Sequence, residues 1–326
     1  METILETRKL QKQDYTSFEL LYDDFRARAV EDYKFELPPL EYKDFIGAVE
    51  KGLINCLVLI ENDFPCAFLI YTTNISEAIE LNIIHSYNLE NLLKRGYYLL
   101  EEFTRQIKYS GLKKVVCYPM LGIQKMLVNE AGKFGFKFIG TAVLRFKFSQ
   151  STSRTIFEMK KFPPIEGNYK IVPWCDEFYG YTVDIIKSSF ENSADALFDP
   201  RFKTDSGVRD ILTKITENIY AEFLPQATSV LLFDDEPVGI CFANLTGDIA
   251  NIPLFAIKEE HRQKGFAKYL LHNTIKTMIN LTDSGKIPIS EVNTTTETSN
   301  ESAYKSYLHI GFKEDYNYQQ AYLPAL

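Results

Sequence analysis

The segment Arg262-Gln263-Lys264-Gly265-Phe266-Ala267 sets basic and small residues where a strand-like run, Phe255-Ala256-Ile257, gives way to a helical pattern. Such a loop suits an anion. Gly265 removes side-chain bulk, and the small Ala267 lets the first backbone N–H groups of the helix approach a phosphate or pyrophosphate. A second segment runs from Asn300 to Phe312. Asn300 is a fitting N-cap, Gly311 a fitting left-handed C′ residue, and Tyr304 and Tyr307 stand a turn apart between them. A tyrosine hydroxyl, with a pKa near 10, holds its proton at neutral pH and can protonate a departing anion.

Other chemistries find no support. The four histidines, at 85, 261, 272 and 309, are scattered, and no H-x-E, HExxH or Cys/His cluster suggests a metal. His261 reads as a surface residue of the basic loop. No G-x-S-x-G, Walker loop or G-x-G-x-x-G occurs, which removes the commonest hydrolase, nucleotide and dinucleotide readings. The five cysteines are odd in number and widely spaced, as reduced, packed thiols of a cytoplasmic protein are. The N-terminus has no secretion-signal pattern, and no apolar run reaches the roughly 18 residues needed to span a bilayer. The formal charge of −8 lies in residues 155–326, where 16 Lys and Arg face 24 Asp and Glu, and it disfavours nucleic acid as a partner. Its function is solubility or, alternatively, an acidic mouth that attracts an amine.

The elements that must position these residues occur twice. Val58–Ile70 and Val230–Phe242 are both apolar runs broken by an acidic turn, with Pro65 and Pro237 in register, and each predicts a β-hairpin. Helical patterns precede each hairpin, at 15–30 and 41–51 and again at 176–189 and 208–220. Downstream come a strand (78–84; 249–257), a long helix (96–108; 265–280), a strand (113–118; 289–295) and a short helix ending in Gly-Phe, at Gly135-Phe136 and Gly311-Phe312. Aromatic strands, 142–148 and 316–323, are expected to close the two halves. The fold class is therefore α/β, of the α+β kind: two tandem domains, each a mixed, mostly antiparallel sheet flanked by helices. Their expected bounds are 1–150 and 169–326, with a linker over 151–168.

The second half resembles the GCN5-related N-acetyltransferase superfamily. Residues 262–267 are similar to its Q/R-x-x-G-x-G/A loop, and Asn300–Phe312 resembles its N-x-x-A-x-x-x-Y-x-x-x-G-F segment. The resemblance implies an N-acetyltransferase that moves an acetyl or other acyl group from acetyl-coenzyme A to an amine of a small molecule or peptide. It implies cofactor contacts at Phe255, Ala256, Ile257, Arg262, Gln263, Lys264, Gly265, Phe266, Ala267, Asn300 and Ala303, and Tyr307 as general acid. Pro253 lies inside the expected strand 249–257 and cannot donate to a ladder, so it marks either a strand edge or a bulge or splay; by resemblance, a splay makes room for the thioester. Glu291 and Asp248 are candidates for the base, as is a chain of waters.

The first half departs from the pattern. Matching Gly96 to Gly265 puts Leu93 at Arg262 and Tyr98 at Ala267. Matching Gly135 to Gly311 puts Ala131 at Tyr307, Leu127 at Ala303 and Gln124 at Asn300. The chain thus resembles tandem members of the superfamily with a degenerate first half that is structural or shapes the substrate site. Two other functions compete: an acyl-coenzyme A-binding sensor or scaffold without turnover, and an aminoacyl-tRNA-dependent transferase of related fold, which the charge disfavours. The expected partner is a small-molecule or peptide amine, with neither nucleic acid nor membrane.

Overall fold

The computed structural model describes the chain apart from residues 1–4, 34, 36–37, 74–77, 112–113, 150, 160–166 and 326. It forms two compact units, Met1–Ile139 with Tyr318–Leu326, and Gly140–Asn317. Both contain the expected helices, hairpin, long helix and short helix in order, and each also opens with a strand that was not expected, Leu5–Lys9 and Tyr169–Pro173.

In unit 1 the helices Tyr15–Ala29 and Tyr42–Glu50 precede a hairpin, Asn55–Glu61 with Phe64–Thr72. The turn works as its composition requires. Asn62 and Asp63 both take left-handed φ, 50° and 70°, as a two-residue turn matching the strand twist demands. The hairpin of unit 2, Ser229–Phe233 with Glu236–Cys241, repeats this with Asp234 at 49° and Asp235 at 68°. Each hairpin shifts register beside its proline, between Leu59 and Ile60 in one and between Pro237 and Gly239 in the other. A bulge there tolerates the missing donor.

Among the described residues, unit 1 holds six strands in one sheet: Leu5–Lys9, the hairpin, Ala78–Ser86, Val115–Tyr118 and the end of the last strand. Its helix Leu92–Ser110 buries Leu99, Leu100, Phe103 and Ile107 against them. In unit 2 the helix Phe266–Asp283 buries Leu270, Leu271, Thr274 and Met278 with the same spacing.

The domain limits differ from those expected. Strand Lys137–Lys147, expected to close the first half, pairs from Thr141 onward with Glu291–Glu297 of unit 2. Ala321–Leu323, expected to close the second half, pairs with Val116–Tyr118 of unit 1. Local sequence marks both as amphipathic strands, but which edge a strand joins depends on long-range register. Part of the expected linker is a helix, Ser151–Met159, whose Phe157 enters the unit 2 core; 160–166 lie outside the described residues.

Candidate active site

The site of unit 2 starts from one break in one strand. The expected strand 249–257 is two strands of three residues, Ile249–Asn251 and Phe255–Ile257, with Pro253 between them. Ile249–Asn251 runs parallel to Glu291–Asn293, and Ile252 N–H still donates to Asn293 O at 3.1 Å. Beyond Pro253 the chain leaves that sheet and pairs instead with the hairpin, Cys241 opposite Phe255 and Gly239 opposite Ile257. A splay opens between Phe255–Ile257 and the strand continuing through Thr294.

Which backbone groups face the splay follows from register. Phe242 N–H donates to Leu254 O and Lys258 N–H to Val238 O, both at 2.9 Å. Hydrogen-bonded pairs alternate along an antiparallel ladder, so the Phe255–Cys241 pair exchanges no bonds, and Phe255 turns its N–H and C=O toward the splay. Ala256 is buried with residues of the helices Tyr179–Phe190 and Asp205–Thr216, and Ile257 joins the core beneath the long helix.

The basic loop follows. Gly265 is left-handed, with φ +82°, and precedes the first residue of the helix. A Cβ built on it would meet nothing within 4 Å, so the glycine leaves a cradle beside the helix N-terminus, where the first N–H groups lack intrahelical partners. Gln263 is also left-handed, with φ 61°. Phe266 is buried and stacks near Tyr169, ring centroids 4.2 Å apart, and Ala267 packs partly buried on the core. The basic side chains are partly engaged. Arg262 Nε donates to Ile257 O at 2.7 Å and its Nη2 to Ser189 Oγ at 3.1 Å, tying the loop to the strand end. Lys264 donates to the Tyr169 hydroxyl at 3.1 Å. His261 is no plain surface residue: its Nδ1 meets the same hydroxyl at 2.8 Å, and burial pulls its pKa down.

Tyr307 closes the splay from below. It is 3% exposed, and burial, then the Cys241 thiol, push its pKa well above the ordinary tyrosine value. Its hydroxyl lies 3.5 Å from Thr294 Oγ1, which already donates to Ile252 O at 3.1 Å. Phe255 meets its ring edge-on, centroids 6.1 Å apart. The helix carrying it is capped as expected: Asn300 Oδ1 accepts from Ala303 N–H at 3.2 Å, and Gly311 ends it at φ 113°. Tyr304 points elsewhere, donating to Glu314 at 2.6 Å.

The base candidates are not brought to the splay. Glu291 pairs with Ile249 at its closed end, three residues or about 10 Å before Thr294, and Arg145 holds its carboxylate in a close ion pair. Asp248 is exposed in the turn before Ile249. Two further carboxylates of unit 2 went unremarked in the sequence. Glu297 ends the strand bearing Thr294, and Asp195 starts the short helix Asp195–Phe198. They are close enough that Glu297 raises the pKa of Asp195, after the larger effect of burial, and Asp195 in turn acts on Tyr307. No motif marks either residue. The one available signal was the excess of acid in the second half.

Unit 1 treats the equivalent place differently. Glu80 pairs with Cys117 as Asn251 pairs with Asn293, so Tyr118 stands at the position of Thr294 and Ile84 at that of Phe255. Ile84 N–H donates to Gln124 Oε1 at 3.2 Å, Gln124 Nε2 donates to Ile84 O, and the Tyr118 hydroxyl donates to the same amide. The long helix starts one turn early, at Leu92, so its buried positions match Gly96 to Ala267 rather than to Gly265. Leu127 packs over Gly96, with Cδ2 2.7 Å from where a Cβ would stand.

Among the described residues, no three His, Cys, Asp or Glu side chains are placed to hold a metal ion, and no helix is long and apolar enough to cross a membrane. No protein-family model and no curated protein matches the sequence. Solved structures do match. A GCN5-related N-acetyltransferase from Sphaerobacter thermophilus superposes with a TM-score of 0.58 at 13% identity, over 98% of this chain and 95% of that one. A tandem protein of the same superfamily from the clavulanic acid biosynthesis pathway gives 0.52 at 12% identity, over 99% of each chain. A GCN5-related glucosamine N-acetyltransferase region in a fungal multi-domain β-N-acetylglucosaminidase gives 0.55 at 10% identity, over 99% of this chain and 38% of that one. The chain has the fold of the GCN5-related N-acetyltransferases, a mixed α/β fold with an antiparallel sheet flanked by helices.

Proposed function

We propose that unit 2 is an acyl-coenzyme A-dependent N-acyltransferase, using acetyl-coenzyme A in the simplest case, and that unit 1 keeps the fold without the chemistry. One observation supports this reading: Phe255, whose main chain turns away from the hairpin, meets the buried Tyr307 edge-on and leads through Ile257 into the loop that ends at Gly265. The N–H and C=O of Phe255 suit the amides of a pantetheine arm, with the N–H of Ile257 next along the same edge and Ala256 between them turned to the hairpin. Gly265, Phe266 and Ala267 offer backbone N–H groups to a pyrophosphate, and Gln263, Lys264 and Arg262 add polarity and charge. Asn300, which caps its helix through Ala303 N–H, and Ala303 are proposed as further cofactor contacts. Once bound, the cofactor would supply an activated acyl carbonyl and a thiolate leaving group.

The protein's part is to orient and to hold a proton. Tyr307 Oη keeps its proton because burial disfavours the phenolate, so it remains a donor well into alkaline pH. The acceptor is proposed to be an amine of a small molecule or peptide. Cys56, Cys66, Cys117 and Cys241 are buried and in no disulfide, which fits a reducing, cytoplasmic setting.

The test is a thiol-release assay with acetyl-coenzyme A over a panel of amines, comparing the chain with Tyr307→Phe. Removing a general acid is expected to lower kcat about 10²–10⁴-fold while the Kd for coenzyme A stays put. An unchanged kcat would remove Tyr307 from the chemistry, and lost cofactor binding would make it a packing residue. Coenzyme A binding without thiol release for any amine would favour the sensor reading.

A further inference from the structure

Strand register lays a row of side-chain amides across unit 2. Asn244 pairs with Asn251, Asn251 with Asn293 and Asn293 with Arg145, on four neighbouring strands. Residues directly opposite one another in a sheet share a face, so all four stand on one side. Their chain neighbours Leu245, Ala250, Val292, Leu144 and Phe146 enter the core beneath the long helix, which puts the row on the other face. Asn251 is exposed although its strand lies inside the sheet, so the exposure comes from an open face and not from an edge. The Asn251–Asn293 rung is the last full pair before the splay. Tyr307 belongs to the core face, so a molecule on the row and the tyrosine meet the splay from opposite sides.

The row is polar but carries no uncommitted charge. Its one ion, Arg145, is shared by Glu291 and Asp315. Asn251 and Asn293 make no side-chain hydrogen bond among the described residues. A second observation points to a ligand: Asn244 is 2% exposed, and its Oδ1 has no hydrogen-bond partner. The same corner holds a donor in the same state. Trp174, 7% exposed, places its ring 6.0 Å from that of Phe223, the residue opposite Asn244, and its Nε1–H is also unpartnered. A buried acceptor and a buried donor beside one phenylalanine stay costly until a group that both donates and accepts meets them.

We infer that Asn244, Asn251 and Asn293 form the acceptor platform of unit 2, and that it takes the N-terminal end of a peptide by the neutral backbone beside the amine. This rests on the acyltransferase reading. A carboxamide offers an acceptor oxygen and N–H donors, and a peptide bond returns one of each, so the two match without charge. Neighbouring strands lie about 4.8 Å apart, so the three amides span about 10 Å, the reach of three extended residues. The terminal amine lies at the Asn251–Asn293 rung, at the foot of the splay, and the chain runs toward Asn244. A free amino acid fits less well, because its carboxylate meets no uncommitted cation in the row.

The test is calorimetry on the whole chain with three probes: trialanine amide, n-propylamine and coenzyme A. The peptide should bind at least about tenfold tighter than the simple amine. Asn251→Ala, at an exposed position, and Asn244→Leu should each weaken the peptide about five- to tenfold, as expected for one hydrogen bond, and leave the coenzyme A Kd within about twofold. A cooperative thermal transition reports that both variants fold, whatever coenzyme A does. Because the contacts are neutral, each loss should be the same at about 20 and 200 mM salt. Equal binding of peptide and n-propylamine, a peptide Kd indifferent to both substitutions, a loss that vanishes at the higher salt, or no peptide binding would overturn the platform. Failure to bind coenzyme A would instead count against the acyltransferase reading, while the peptide titration needs no cofactor and judges the platform alone.

Discussion

The two clefts of this molecule start from the same register and end in opposite states. In unit 2 the chain beyond Asn251 leaves its parallel partner, and the main-chain groups of Phe255 face an opening. In unit 1 the chain beyond Glu80 could do the same, but the Gln124 side chain bonds both the N–H and the C=O of Ile84. A primary amide there does for Ile84 what an amide of a bound arm would do for Phe255. Around it Tyr118 replaces a threonine, Leu127 replaces Ala303, and an added helical turn lies where the cradle of Gly265 would be. A position otherwise matched to Phe266 holds Arg95, whose guanidinium bonds Glu61 at 2.7 Å and Ser86 at 3.0 Å. On the proposed reading, main-chain groups that a cofactor would pair with in unit 2 find their partner inside the protein in unit 1.

The largest effect should come from removing the strand that each unit takes from beyond its expected limits. A chain of residues 155–317 lacks Thr141–Lys147, and with it the buried Leu144 and Phe146 of the unit 2 core. It should give no cooperative thermal transition, whereas residues 140–317 should. Equal, cooperative melting of both would mean that strand is dispensable.

Next in size is the contrast between the two glycines. Gly265→Val crowds a left-handed cradle and should cut coenzyme A affinity more than about 100-fold in calorimetry, a loss of roughly 2.7 kcal/mol or more. Gly96→Ala should leave coenzyme A binding alone and instead destabilise unit 1 by about 1 kcal/mol through its clash with Leu127, read by urea unfolding. A coenzyme A defect in the Gly96 variant would show that unit 1 is not degenerate.

Gln124→Leu removes the amide that serves Ile84 and the Tyr118 hydroxyl. Stranding buried polar groups should cost about 2–4 kcal/mol in urea unfolding, with no second coenzyme A site appearing, because Leu127 and the extra turn remain. Two bound coenzyme A molecules per chain would refute this account of the plug.

The smallest effect is confined to unit 1 and depends on pH. His85 is fully buried between the Tyr33 hydroxyl, 2.9 Å from Nδ1, and Asp24, 3.0 Å from Nε2. Burial pulls its pKa down to about 4, outweighing the opposing pull of Asp24. The unfolded chain therefore binds a proton that the folded one refuses. This contribution is complete above about pH 6.5 and is lost as pH falls toward 4, by up to about 1.4 kcal/mol per unit. His85→Gln should flatten the stability profile between pH 6.5 and 5 relative to the unaltered chain; parallel profiles would rule the histidine out.

Features set within a few residues were readable from the chain alone. The Asn62-Asp63 and Asp234-Asp235 turns, the Asn300 and Gly311 caps and the bare helix start at Gly265 each follow from what one residue type can do with its own backbone. Pro253 announced a break, since a residue without an N–H cannot hold a ladder. Tertiary structure decided the rest. It chose which edge each amphipathic strand joined, gave Glu291 to Arg145, and filled the first cleft with Gln124. Those outcomes turn on register and on charges meeting across the fold, and no local propensity encodes a partner so distant along the chain.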